Sequence, residues 1–225
     1  MMRRIVKGAE PEELRLWKEE NAETPQILTY NNMPKAGVKL QMLTEQGYLC
    51  AYTMERIQTA EDCHIERVVP RNEPKQPIGH QIDYNNLLAC VPSNTPGHRP
   101  LIKNFPYGAP RKNGTRINEN NFVSPLRYDV EYRFRYAADG SIASLADDVA
   151  AANTITMLNL NDAQLSDLRK AAIEEHIWDA DLSADEAEAL SHTIMTANST
   201  GKIPEFCLAI SQVATWYATN MKEIK

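Results

Sequence analysis

Residues 63–70 read Cys63-His64-Ile65-Glu66-Arg67-Val68-Val69-Pro70. The β-branched Ile65, Val68 and Val69 favour extended backbone, and Pro70 ends the run because proline has no N–H for a sheet ladder. A strand is therefore predicted. Strict alternation places His64 and Glu66 on one face and Cys63, Ile65 and Arg67 on the other, unless a bulge shifts the faces. An imidazole and a carboxylate on one face are the usual ligands of a divalent ion that polarises a phosphate, and a neutral imidazole is the usual base for water. The plainer reading is a histidine satisfied structurally within a sheet.

Downstream, residues 71–82 form a polar loop, and Asp83 to Val91 offers an Asp cap followed by a short apolar stretch compatible with one or two helical turns. His64, His80 and His98 fall between Cys63 and His98, with Asp83, Asn85 and Asn86 among them. Residues 92–121 are rich in Pro, Gly and Asn and read as a long loop, a length that is uncommon unless functional or disordered. Val123 to Tyr136 resembles a strand region, and Asp139-Gly140 marks a turn. Upstream, Pro11 to Asn21 reads as a short helix, while residues 22–49 are mixed. The remainder is predicted to be helical: Ile142 to Asn153, Asp162 to Trp178, Ser183 to Asn198 opening on a capping box, and a last helix from Pro204. Its apolar stripe, Cys207, Ile210, Val213, Trp216, Tyr217 and Met221, reads as core before it reads as a partner groove.

The chain has 225 residues, 43% hydrophobic and 24% charged, with nine glycines and 13 prolines, close to the globular norm. No apolar run approaches the roughly 18–20 residues needed to span a bilayer, so no membrane partner is expected. The basic amino terminus turns acidic before an apolar stretch begins, and a cytoplasmic location is expected. Four cysteines without a CxxC pair read as buried reduced thiols. The net charge of −6 conceals a division: residues 1–98 carry 11 basic against 13 acidic side chains, residues 99–135 carry 8 against 3, and residues 136–225 carry 5 against 14. The basic middle includes Lys103, Arg111, Lys112, Arg116 and Arg133, interleaved with tyrosines and phenylalanines. Such a mixture can neutralise phosphates and stack on unpaired bases. A solvated strand face with an aromatic inner side is the competing reading. The acidic last third suits a protein partner or water.

Several blocks in this order resemble a known family. Cys50-Ala-Tyr-Thr53, the 63–70 segment, Asp83-Tyr84-Asn85-Asn86-Leu87-Leu88-Ala89-Cys90, Phe122-Val123-Ser124-Pro125-Leu126 and Glu131-Tyr132-Arg133-Phe134 are similar to the retron-associated HNH endonucleases, which include the PtuB-like nuclease subunit of Septu anti-phage systems. The likeness extends to about Leu168, through Asn159-Leu160-Asn161 and Leu165-x-x-Leu168-Arg169. It implies a ββα-metal nuclease core, taken as residues 1–140 of an α+β chain; the helical region over 141–225 is expected, from its acidic charge and helical periodicity, to bind a partner. It also implies phosphodiester hydrolysis of DNA or tRNA with a divalent metal, Mg²⁺ first and Mn²⁺, Ni²⁺ or Zn²⁺ as alternatives. An ATPase subunit is the implied partner, joined in retron versions by a reverse transcriptase with its noncoding RNA and DNA product.

Carried over by position, the resemblance makes Glu66 and His98 metal ligands and Asn86 the residue that holds the loop or orients the histidine. The position after the acid, a histidine base in the family pattern, is Arg67. Guanidinium has no acceptor nitrogen and stays protonated, so it cannot be that base. Three explanations stand side by side: an inactivating substitution in this chain, natural degeneracy with the fold kept for binding, or His64 acting as the base. Thr53 in place of a second cysteine also removes the CxxC of many relatives, so a four-cysteine zinc site is not expected. A degenerate adaptor that binds an ATPase or nucleic acid without cutting is the alternative function.

Overall fold

A computed structural model describes residues 2–70, 79–94 and 105–223. The chain is α+β, with two small antiparallel sheets and helices around them. Helix α1 (Glu12–Glu20) follows Pro11, whose ring suits a helix start, and buries Leu14. Helix α2 (Ala36–Gln46), within the stretch predicted to be mixed, buries Val38, Met42 and Leu43 and ends at Gly47 in the left-handed conformation. A Cβ at Gly47 would lie 2.5 Å from the Ile203 side chain, so the absence of one lets the carboxy-terminal segment pack on this helix end.

Strand β1 (His64–Arg67) forms as the 63–70 segment predicts, and pairs antiparallel with β2 (Leu87–Cys90), bringing His64 opposite Cys90 and Glu66 opposite Leu88. The helix predicted at Asp83 to Val91 is thus corrected. Asp83 does cap a helical turn, accepting from Asn85 N, but the turn stops at Asn86 and the apolar Leu87 to Cys90 extends into β2. All four β2 residues are fully buried, so periodicity could not separate strand from helix. Helix α3 (Ala109–Lys112) is a single turn in the stretch read as loop.

The region predicted as strand from Val123 narrows to β3 (Phe134–Tyr136), which pairs with β4 (Ile142–Ser144) across the Asp139-Gly140 turn. The helix expected from Ile142 is corrected to β4 followed by α4 (Val149–Met157), capped by Asp148. Helix α5 (Ala163–Ile173) starts on Asp162 and runs into a π-helical turn, Glu174–Trp178. Helix α6 (Ala184–Thr193) opens on the Ser183/Glu186 capping box, with both reciprocal bonds present. Helix α7 (Cys207–Glu223) packs mainly on α6.

One hydrophobic core runs from Met2 to Ala214 and includes β1, β2, β3 and α7. The expected division at 140/141 falls in the β3–β4 turn, where a Cβ on Gly140 would lie 2.1 Å from Ser166 O of α5. Further bonds cross the division: Ile203 N to Gly47 O, Phe206 N to Met54 O, and Gln212 Oε1 accepting from Tyr136 N. All four cysteines are free and buried, as expected. No helix among the described residues is long and apolar enough to cross a membrane.

Candidate functional site

The β1–β2 pair presents the residues that the sequence singled out. Asn86 sits immediately before β2, where its side chain accepts from Val69 N at 2.7 Å and donates to Val69 O at 3.1 Å and His80 O at 3.4 Å. It closes the end of the hairpin and makes no hydrogen bond to His64 among those seen. His64 directs Nδ1 at Pro92 O, 2.6 Å away. A carbonyl only accepts, so Nδ1 carries the proton and Nε2 is the acceptor nitrogen. Burial pushes the His64 pKa down, against the upward pull of Glu66 and the Pro92 carbonyl, with Lys39 and Lys112 lowering it further. The ring is therefore neutral at pH 7.

Glu66, two residues along the same strand face, is engaged by α3. Lys112 Nζ donates to Glu66 Oε1 and, at 2.7 Å, to Arg67 O, with the lysine side chain only 2% exposed. The pair ties α3 to β1. Arg67, the last residue of β1, stacks on Tyr30, with the guanidinium carbon 4.5 Å from the ring centroid. Its Nη1 is buried and has no hydrogen-bond partner among the described residues. Tyr30, Asn31, Glu66, Arg67, Pro70, Lys112, Asn113 and Gly114 line a cavity of about 370 Å³. Asn113 and Gly114, both at positive φ, turn the chain out of α3 along its rim. His64 is not part of that lining.

The donor set among the described residues does not fit a divalent ion. Glu66 is the one carboxylate on the cavity and a lysine ammonium occupies it, while Arg67 adds a second positive charge, so an entering dication meets net repulsion. No group of three or more His, Cys, Asp or Glu side chains among the described residues could hold a metal. His98, expected as the second ligand, lies outside the described residues, as does Lys103.

The remaining expected nucleic-acid contacts separate into two kinds. Arg111 and Arg116 are exposed beside and beyond α3. Lys112 instead faces inward to Glu66. Arg133 grips Asp148 through Nε and through Nη2 at 2.7 Å, and reaches Asp129 at 3.5 Å. Its acidic partners, set in the sequence 4 and 15 residues away, already neutralise it.

Thr53 donates its hydroxyl to the buried Glu55 at 2.9 Å. Cys50 Sγ accepts from Val91 N at 3.4 Å. Burial and the nearby Glu55 charge push the Cys50 thiol up, and hydrogen bonding with Cys90, Thr53 and Val91 outweighs them and brings it to about 7. Tyr30 was not legible as a site residue, and Lys112 was legible as a nucleic-acid contact but not as the partner of Glu66. Lys112 carried a signal: Pro110 just after Gly108 is the mark of a helix start, and a turn there fixes where the lysine points. Tyr30 carried none, because nothing local relates it to a strand 37 positions later.

No protein-family model matches this chain, and no curated protein sequence matches it significantly.

Proposed function

We propose that this chain is a nuclease-like subunit acting on nucleic acid within an ATPase-containing anti-phage complex, as the HNH resemblance implies. The observation that supports a hydrolytic reading is the His64 ring. It is neutral, held through Nδ1, with Nε2 as acceptor, on the same strand face as Glu66 and close to two cations. In this reading Nε2 takes the proton of a water as its oxygen bonds to phosphorus and the P–O bond to the leaving sugar oxygen breaks. Lys112, one of the two cations that bear on His64, offsets part of the charge that gathers on the phosphoryl oxygens. No step is routed through a metal, because the described residues do not assemble a site for one.

The test is cleavage of mixed phage DNA and cellular RNA by the full chain with its co-purifying partners, in Mg²⁺ or Mn²⁺ and in EDTA. His64→Ala and Arg67→His are compared with the parent chain. The expected result is cleavage that falls at least about 100-fold in His64→Ala. Cleavage by Arg67→His alone would instead mark position 67 as the disabled base.

A second reading, binding without cutting, is favoured by the Lys112–Glu66 pair, which places an ammonium against the one carboxylate of the cavity. It gains if no version cuts but the chain retains nucleic acid. For the partner, the exposed acidic residues Glu175, Asp179 and Asp181 after α5 are the proposed contact with an ATPase. Their simultaneous reversal to lysine should release the ATPase from the complex. Removal of residues 142–225 is not a clean test, since Phe206 and Ile210 belong to the common core.

A further inference from the structure

We propose that the cavity between Tyr30 and α3 is an oxyanion receptor, with Arg67 as its binding group, that takes one phosphate of a nucleic-acid strand. Naming the strand rests on the reading above; the receptor itself does not depend on cutting.

Several observations on this cavity converge. Arg67 is the cation without a carboxylate partner: Glu66 is tied to Lys112, and no salt bridge of Arg67 is seen among the described residues. Its Nη1 is buried and unpartnered, and a buried cationic donor left without an acceptor is costly. The Tyr30 ring, 4.5 Å away, holds the guanidinium plane in place, so little side-chain freedom is left to lose when an anion arrives. Lys112 Nζ makes two bonds, to Glu66 and to Arg67 O, and an ammonium has three protons. Glu66, Arg67 and Lys112 together carry one net positive charge, which matches the single negative charge of a phosphodiester. The volume of about 370 Å³ accommodates a phosphate with an attached sugar, and Asn31, Asn113 and Gly114 at the rim add no further charge. A planar fork with free N–H groups recognises a tetrahedral oxyanion where the histidine of the family pattern would accept a proton.

The experiment measures binding of a fluorescent single-stranded oligonucleotide to the full chain over a range of salt, with inorganic phosphate as competitor. Arg67→Gln, Arg67→Lys and Tyr30→Leu are compared with Lys170→Gln, an exposed cation on α5, as a surface control. The expected result is competition by phosphate and a loss of at least about tenfold in Arg67→Gln, with a salt slope shallower by about 0.7. Arg67→Lys and Tyr30→Leu should lose less, and Lys170→Gln little. Hydrogen exchange on the parent chain gives a readout independent of whether the variants fold: phosphate should slow exchange at residues 66–68 and 112–114.

Oligonucleotide binding unchanged in a folded Arg67→Gln, or no protection of those amides, overturns the receptor while leaving a nucleic-acid role elsewhere on the surface. Protection by inorganic phosphate with no oligonucleotide binding overturns the strand as its source. Arg67-dependent binding without cleavage upholds the receptor and removes the hydrolytic reading.

Discussion

The β1–β2 side of the molecule and its helical carboxy-terminal third use charge in opposite ways. Around β1, charged side chains are drawn inward and given fixed partners: Lys112 to Glu66, Arg67 to the Tyr30 ring, and Lys7 to Glu45 at 2.9 Å. Across α5, α6 and the π-helical turn, the acidic residues mostly stand in water on helix faces whose other sides supply the core. Charge in the first region shapes a cavity. In the second it makes a surface. The basic central segment, uniform in sequence, divides between the two behaviours, since Arg127 and Arg133 close on Asp129 and Asp148 whereas Arg111 and Arg116 face outward.

The sharpest way to break this comparison is to separate the two regions. Gly140→Ala would drive a Cβ into Ser166 O at 2.1 Å from a backbone at φ +79°, where neither the main chain of α5 nor the turn can yield cheaply. A loss of about 3 kcal/mol is expected, read as a fall in the denaturation midpoint. A stable Gly140→Ala would show that the β3–β4 hairpin and α5 are not rigidly coupled.

Lys112→Met comes next. It leaves Glu66 without its ammonium, and a cost of about 2–3 kcal/mol is expected, below the full value for a buried pair because Glu66 is 17% exposed. The same change removes the positive charge that repels a cation. Mn²⁺ should therefore raise the melting temperature of Lys112→Met and leave that of the parent chain unchanged. Equal responses would contradict the account of why the cavity does not fit a dication.

Asp148 tests the neutralised part of the basic segment. Its side chain caps α4 by accepting from Ala151 N at 2.9 Å and pairs with Arg133, so Asp148→Ala should cost about 1–2 kcal/mol. The Arg133 guanidinium holds the Asp148 carboxyl below its ordinary range. A carboxyl with a depressed folded pKa contributes stability above its unfolded value of about 3.9, and that contribution disappears as pH falls through the folded pKa. Below about pH 4 the parent chain should lose stability more steeply than Asp148→Asn, measured by denaturant titration from pH 6 to pH 3. Parallel curves would refute the coupling.

The smallest effect is expected on the solvated side. Ser183→Ala removes the capping hydroxyl of α6 and should cost about 1 kcal/mol, with no change in oligonucleotide binding. A binding defect there would mean that the helical third takes part in the site.

Local signals carried much of the fold. The β-branched run ending in Pro70, the Asp-Gly turn at 139–140 and the Ser183 to Glu186 capping box each act within a few residues, and all three features stand where the sequence puts them. Where burial is complete, the local signal fails. Leu87 to Cys90 was readable as helix because all four residues are buried and show no alternation, Ile142 to Ser144 because three residues are too few to decide, and pairing with β1 and β3 made them strands. The missed α2 has a similar cause: Pro34 and the mixed composition before it obscured an apolar face, Val38, Met42 and Leu43, that only the core defines.

For the site, the sequence by itself determined which residues share a strand, that Arg67 cannot accept a proton, and that positive charge concentrates between residues 99 and 135. These are properties of side-chain chemistry and order along the chain. Only the tertiary structure decided what those charges meet. It set Lys112 against Glu66 across 46 positions and Tyr30 beneath Arg67 across 37, and it held Arg133 to Asp148. An electrostatic partner is chosen by distance in space, which chain separation does not encode, and the cavity at β1 follows from those choices.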